Sequence, residues 1–240
     1  MIDSLLDYWR YFAASPLLGL LTTLLAFQLG LWVNRRAGGS PLLHPVIIAI
    51  ALLIAFLLLV EIPYRQYFDG AKFIHLLLGP ATVALAIPLF DHRRQIRQLF
   101  TPLLISCLAG IVAAVSSTLG LAWLLGAQRE TILSLAPKSV TTPIAMGVSE
   151  QIGGLASVTA ALVLITGAIG CLLAPWLFRL LRIRDHAVQG FALGLSSHGF
   201  GTAQAFGIGP KAGAFAGLAL GMAGLLTAFL LPLAIRLLGW

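Results

Sequence analysis

The sequence predicts an all-α integral membrane protein with about seven to eight membrane segments, set out as two inverted repeats with interrupted helices. Three observations predict it. Of 240 residues, 59% are hydrophobic and 10% charged, where a soluble domain carries about 25% charged residues. The apolar runs are of helix length and lack the alternating ~10-residue pattern of an outer-membrane barrel. Several runs are also broken by proline, glycine and hydroxyl-bearing residues where a plain span would stay apolar. The whole chain, 1–240, reads as one membrane domain, with a first repeat over 17–126 and a second over 131–238.

Residues 1–15 read as a short amphipathic lead, because Tyr8, Trp9, Tyr11 and Phe12 favour the membrane–water boundary. No cleavable signal peptide is expected, since Asp3 and Asp7 stand where a basic n-region would be. Pro16 opens a span over about Leu17–Val33 that Arg35 and Arg36 close. A second span runs from about Pro45 to Val60, and 61–70 reads as an aromatic interfacial loop. The third segment, Phe73–Phe90, is interrupted at Gly79-Pro80 and at Pro88, then closed by Arg93, Arg94 and Arg97. The fourth covers about Leu103–Leu125 and is rich in Gly, Ala and Ser, which let helices approach closely.

The stretch from Pro137 to Glu150 carries two prolines, a lysine and several hydroxyls between two apolar runs. Such a segment is tolerable at membrane depth only when buried in protein or lining a wet cavity. It reads as a re-entrant pair of half-helices or as one more crossing, and the sequence leaves both open. A span over about Leu155–Leu181 ends at Arg179, Arg182 and Arg184; a segment over 187–206 is interrupted at Ser196–Thr202; the last span covers about Ala212–Leu238. Because Arg35/Arg36, Arg93–Arg97, Arg179–Arg184 and Arg236 all close spans, the positive-inside rule puts all four, and the C-terminus, in the cytoplasm. The net charge of +7 follows from those clusters and is no nucleic-acid signal. Cys107 and Cys171 lie in apolar runs without metal-ligand spacing and are expected to pack.

The halves echo each other. Aligning 73–86 with 191–205 places Thr82 on Thr202 and Gly79 near Gly199. Paired interrupted helices in inverted halves point to a transporter's binding site near the midplane. A helix that starts inside the bilayer leaves free N–H groups at a positive dipole end, which favours anions. Pro80, Pro143 and Gly201 stand at or near such starts. The hydroxyls of Thr82, Ser139, Thr141, Thr142, Ser197 and Thr202 are candidate donors to a carboxylate. Lys138 either supplies a formal charge or snorkels to water. His198 either meets a ligand or a coupled proton, or satisfies backbone freed by the break. Glu150 pairs with Lys138, carries a proton, or is solvated. The candidate binding set is thus Gly79, Pro80, Thr82, Lys138, Ser139, Thr141, Thr142, Pro143, Ser197, His198, Gly199, Gly201 and Thr202, with His198 and Glu150 as candidate coupling groups. No metal site, cofactor or catalytic constellation is expected, because Ser197 and His198 are adjacent and do not aim at each other as a triad requires.

Three stretches, Leu78–Ala86, Pro137–Ala145 and Ser197–Ala203, closely resemble the motifs of the LrgB/CidB family (YohK-like), and the resemblance runs from about Pro41 to Leu238. It implies one of two activities. One is a carrier of small carboxylates such as pyruvate, glycolate or glycerate, akin to the related plastid glycolate/glycerate transporter. The alternative is a holin- or antiholin-like protein that modulates murein hydrolase activity and autolysis. The expected function is the first, secondary transport of a small monocarboxylate or 2-hydroxy acid by alternating access in a bacterial inner membrane. The resemblance further implies a small LrgA/CidA-type membrane partner, and a homo-oligomer is expected. Gln204 stands where members of the family often carry arginine, which leaves the substrate open.

Overall fold

The computed structural model describes residues 16–40, 43–77, 80, 83–84 and 86–239. The lead over 1–15, Gly79 and Thr82 lie outside the described residues. Among the described residues the chain is helical and no strand occurs. It divides into two compact units, Met1–Ala84 and Leu85–Trp240.

In the first unit, α1 (Pro16–Arg36) packs against α2 (Pro45–Leu59) and α3 (Tyr64–Leu76). A Cβ at Gly30 would meet the Pro45 carbonyl, and one at Gly19 the Tyr67 carbonyl, so glycine permits both backbone approaches. Tyr67 Oη and Thr23 Oγ1 share a 2.7 Å hydrogen bond that ties α3 to α1. The expected interfacial loop over 61–70 is corrected: from Tyr64 onward it is helix. Pro63 supplies the fixed φ that suits entry into a helix, and Tyr67 turns this helix toward α1.

The second unit holds short α4 (Ala86–Asp91) and α5 (Arg93–Gln98), then α6 (Phe100–Leu124), α7 (Arg129–Leu135), α8 (Thr142–Ile152), α9 (Ala156–Leu180), α10 (His186–Ile208) and α11 (Pro210–Leu237). Among the described residues four helices are long and apolar enough to cross a membrane: α1, α6, α9 and α11. That is fewer than the seven to eight segments expected from the apolar runs.

Part of the difference has a physical cause in α7, α8 and α10; α2, at fifteen residues, is apolar but shorter than those four, and 73–90 falls partly outside the described residues. At 1.5 Å per residue, seven-residue α7 and eleven-residue α8 reach about 10 and 16 Å, well short of a ~30 Å hydrocarbon core. α10 is interrupted at His198, whose φ of 41° and ψ of −122° are not helical. The chain does not merely kink there; it reverses. A Cβ at Gly201 would touch the carbonyl of Leu193, though eight residues of continuous helix would hold them about 12 Å apart. The first arm runs alongside the start of α11, since Gly190 abuts Ala212 and Gly194 abuts Ala216. The second arm returns, with Ala205 and Ile208 packed against Ala174 and Ala212 and the Phe206 ring over Gly213.

The three spans of this unit have readable directions. α6 and α11 run parallel: Cys107 clusters with Phe215 and Ala219, while Val115 and Leu119 lie with Leu231 and Ile235. α9 is antiparallel to them: Gly170 meets Ser197 while Ala174 clusters with Leu193, against a first arm of α10 that runs parallel to α11. Hence the starts of α6 and α11 and the end of α9 share one end of the unit. Arg129 and Gly239 sit together at the other. Within the second unit Arg236 therefore lies at the opposite end from Arg93–Arg97 and Arg179–Arg184, where the positive-inside reading of the sequence expects these clusters on one side. Counting 187–206 as a crossing reversed the sense of α11, and a hairpin does not cross.

Outward faces stay apolar, with Leu121, Ile165, Leu225 and Phe229 all exposed, as lipid contact requires. Cys107 and Cys171 are free and buried, in keeping with packing. The α11 glycines serve internal packing at Gly213, under Phe206, and at Gly224, under Ile144; Gly221 has nothing within 4 Å.

Candidate functional site

Two hairpins enter the second unit from opposite ends. α7 and α8 come in from the Gly239 end, as Leu133, Ala136 and Val148 pack on Leu231 and Ile235. Their connection, Ala136–Thr141, forms the tip, and Val140 reaches the Ala219–Ala223 level of α11. α10 enters from the Lys211 end and turns at His198. Between the tips lies a cavity of about 640 Å³, within the size range of small-molecule sites. Ile111 and Ala114 of α6, Thr166 and Gly170 of α9, and Ala223 and Thr227 of α11 wall it, each near the middle of its helix.

Pro137, Lys138, Ser139 and Val140 line this cavity from one tip, and Ala192, Leu195 and Ser196 line it from the other. Among the described residues its polar lining is Lys138, Ser139, Thr166, Ser196 and Thr227, with no carboxylate. Among the described residues Lys138 has no ion-pair partner. An ammonium held at membrane depth without a counter-ion is costly, and an anion in the same cavity removes that cost. α8 begins beside the lysine, with Thr141 before its first turn and Pro143 inside it. Thr141 makes no side-chain capping bond, so the dipole end and the first N–H groups stay open to a ligand.

The base of this hairpin is held by hydroxyls. Ser134 Oγ donates to the Glu130 carbonyl at 2.6 Å and accepts the Leu155 N–H at 2.7 Å. Thr159 Oγ1 lies 2.9 Å from the Ser134 carbonyl and 2.7 Å from Ser149 Oγ. These buried groups satisfy the ends of α7 and α8, as backbone at membrane depth demands. The α10 tip is held differently. His198 Nε2 lies 3.1 Å from the Val163 carbonyl, and its ring fits because Gly167 has no Cβ to fill the 2.8 Å gap to Cε1. His198 occupies a positive-φ turn position that glycine usually fills, at a strain of about 1–3 kcal/mol.

The predicted residues fall into three groups. Lys138 and Ser139 line the cavity; Thr141 and Thr142 are half-buried and Pro143 exposed just beyond its edge. Ser197 and His198 are buried against α9, Ser197 beneath Gly170, while Gly201 packs under Leu193 and Gly199 is open. Glu150 is exposed at the far end of α8 and makes no ion pair with Lys138 among the described residues. Pro80 is exposed and belongs to the first unit.

Thr202 departs from expectation. It is 6% exposed, and its hydroxyl donates to the His198 carbonyl at 2.9 Å, which commits it to its own helix. Thr202→Val is expected to lower stability by about 0.5–1.5 kcal/mol and to leave the affinity for a cavity ligand unchanged. Denaturation and uptake on matched protein check both halves, and a loss of affinity returns the hydroxyl to the site. The residues missed from sequence are Ser196, Thr166 and Thr227. For Thr166 and Thr227 the signal was a lone hydroxyl within an apolar run, which at membrane depth is itself a pointer; Ser196 stands beside Ser197 inside the interruption.

The LrgB-like family profile matches residues 23–237. The chain belongs to the LrgB family. It is 30% identical over 225 residues to a Bacillus subtilis protein named antiholin-like protein LrgB, covering 94% of this chain and 97% of the relative. It is 30% identical over 198 residues to the holin-like protein CidB of Staphylococcus epidermidis, covering 82% and 86%. A Bacillus subtilis relative named uncharacterized protein YwbG is 37% identical over 183 residues, covering 76% and 81%. No solved structure matches the chain. Membership fits the opposed tips, since the motif stretches at Pro137–Ala145 and Ser197–Ala203 that resembled the LrgB family are the two hairpin turns of this LrgB-family chain.

Proposed function

We propose that the chain is a secondary carrier of a small monocarboxylate or 2-hydroxy acid, of the glycolate, glycerate or pyruvate class, and that it catalyses no chemical step. The observation that carries this reading is unpaired Lys138 on a hairpin tip, facing a cavity halfway along three spans. The ammonium would hold the carboxylate, and Ser139, Thr166 or Thr227 would meet a 2-hydroxyl or keto oxygen; Ser196, whose hydroxyl donates to the Ala192 carbonyl at 2.8 Å, would only accept from the 2-hydroxyl. The opposed hairpins offer two gates, so that moving one tip opens the cavity to one side at a time. His198 at the second tip is the better candidate for proton coupling, as Glu150 is exposed and remote. The echo of 17–126 in 131–238 belongs to the same proposal and supports it by sequence alone.

The names of two relatives favour a second reading, a holin- or antiholin-like protein acting with a small LrgA/CidA-type partner or as a homo-oligomer. Proteoliposomes separate the two. A carrier gives saturable uptake of radiolabelled glycolate or pyruvate while retaining a trapped dye; a holin-like assembly releases the dye without saturation. Dye release with no saturable uptake would sink the carrier reading.

The orientation proposed with it puts the end bearing Arg93–Arg97 and Arg179–Arg184 in the cytoplasm of a bacterial inner membrane. The end of α11 then faces outward, opposite to the sequence expectation. A cysteine at Gly239 is expected to react with an impermeant maleimide in intact cells, and one at Arg184 only after permeabilisation. The reverse pattern overturns the orientation.

A further inference from the structure

The arginine-rich end of the second unit holds another cavity, of about 590 Å³, that shares no residue with the central one. It forms where α9 ends, the connection to α10 turns, and the two arms of α10 come together. Arg179, Arg182 and Arg184 line it, with Gln189 and Gln204, and among the described residues no carboxylate does. The nearby Asp185 is committed elsewhere. Its Oδ1 accepts the Ala187 N–H at 2.6 Å and the Val188 N–H at 3.3 Å, and its Oδ2 lies 3.5 Å from Lys211 Nζ. Among the described residues none of the three arginines has an ion-pair partner.

Two further features go beyond a topology signal. The Oε1 of Gln204 is buried and lacks a hydrogen-bond donor, which a native structure rarely leaves unexplained. Arg182 has a φ of 55°, just past the end of α9, in a position that glycine commonly fills. The fold thus tolerates strain and keeps a guanidinium at this spot.

We propose that this pocket binds a glycerol phosphate group, with guanidinium forks on the phosphate oxygens and a glycerol hydroxyl bonded to the side-chain amide of Gln204, which lines the pocket. The group is either the headgroup of phosphatidylglycerol or a free glycerol phosphate. Exposed Trp176, Leu180 and Leu181 flank the connection and would carry acyl chains in the first case. The proposal does not rest on the carrier reading.

Thermal unfolding and native mass spectrometry of the full chain in detergent test it. Phosphatidylglycerol should raise the Tm and give a bound adduct, and phosphatidylcholine should do neither. The double variant Arg182→Gln/Arg184→Gln should lose apparent phosphatidylglycerol affinity by about tenfold or more, while Arg236→Gln at the other end should keep it. Gln204→Leu should remove the preference for phosphatidylglycerol over phosphatidic acid, which lacks the hydroxyl. Glycerol 3-phosphate that reproduces the shift in phosphatidylcholine micelles assigns the site to the soluble group; a shift with the lipid alone assigns it to the headgroup. Equal responses to phosphatidylglycerol and phosphatidylcholine in the wild type overturn the proposal, whether or not the double variant folds. So does an undiminished response in a folded double variant.

Discussion

Lys138→Met is expected to weaken the apparent affinity for a small carboxylate about 10- to 150-fold in proteoliposome uptake, the equivalent of about 1.5–3 kcal/mol for one hydrogen bond to a charged group. Among the described residues no other cationic side chain lines the central cavity, so none of them takes over. Methionine keeps the length and apolar stem of the side chain, and the tip at Pro137–Val140 should keep its packing. Lys138→Arg keeps the charge on a larger, planar head and should retain part of the affinity. Unchanged uptake kinetics in Lys138→Met would remove the lysine from the site and leave the carrier reading without its main support. A variant that loses expression but not affinity points instead to a lysine needed only for assembly.

Gly194→Val is expected to destabilise the protein by about 3 kcal/mol or more, at or beyond the upper range for overpacking. A Cβ at Gly194 would run into the backbone of Ala216, and a helix backbone cannot give way as a side-chain end can. Gly190 meets Ala212 in the same way one turn earlier, so the first arm of α10 lies on α11 along a seam of two glycines. Gly207 makes the control: it is helical, exposed and has nothing within 4 Å. Gly207→Ala should therefore be neutral or stabilise by up to about 1 kcal/mol. Denaturation of both variants in detergent checks the contrast. Equal stabilities would mean that the first arm does not lie against α11, and the reversal at His198 would lose its basis.

Legibility in the sequence differed from residue to residue. Lys138 and Ser139 were legible because charge and hydroxyls between two apolar runs have few tolerable places in a membrane. Thr166 and Thr227 were not, because a single hydroxyl in a long apolar helix can equally bond back to its own carbonyl, as Thr202 does. The direction in which a side chain faces depends on what packs beside it. Ser196 and Ser197 are adjacent, yet one lines the cavity and the other is buried beneath Gly170.

By itself the sequence determined the medium, the helical class and the places where helices break. Apolar runs of bilayer length admit little else, and proline, glycine and clustered hydroxyls disfavour an unbroken ladder. It did not determine what the chain does at a break. The residues around His198 suit a kink within one crossing as well as a full reversal, because both need the same loss of a few helical bonds. The contacts of Gly190 and Gly194 with α11, and of Gly201 with Leu193, decide for reversal. They join residues of separate arms and helices, so no local reading of Ser196–Thr202 contains them. That one decision reversed the direction of α11, put Arg236 at the opposite end of the second unit from Arg93–Arg97 and Arg179–Arg184, and brought two hairpin tips to one cavity.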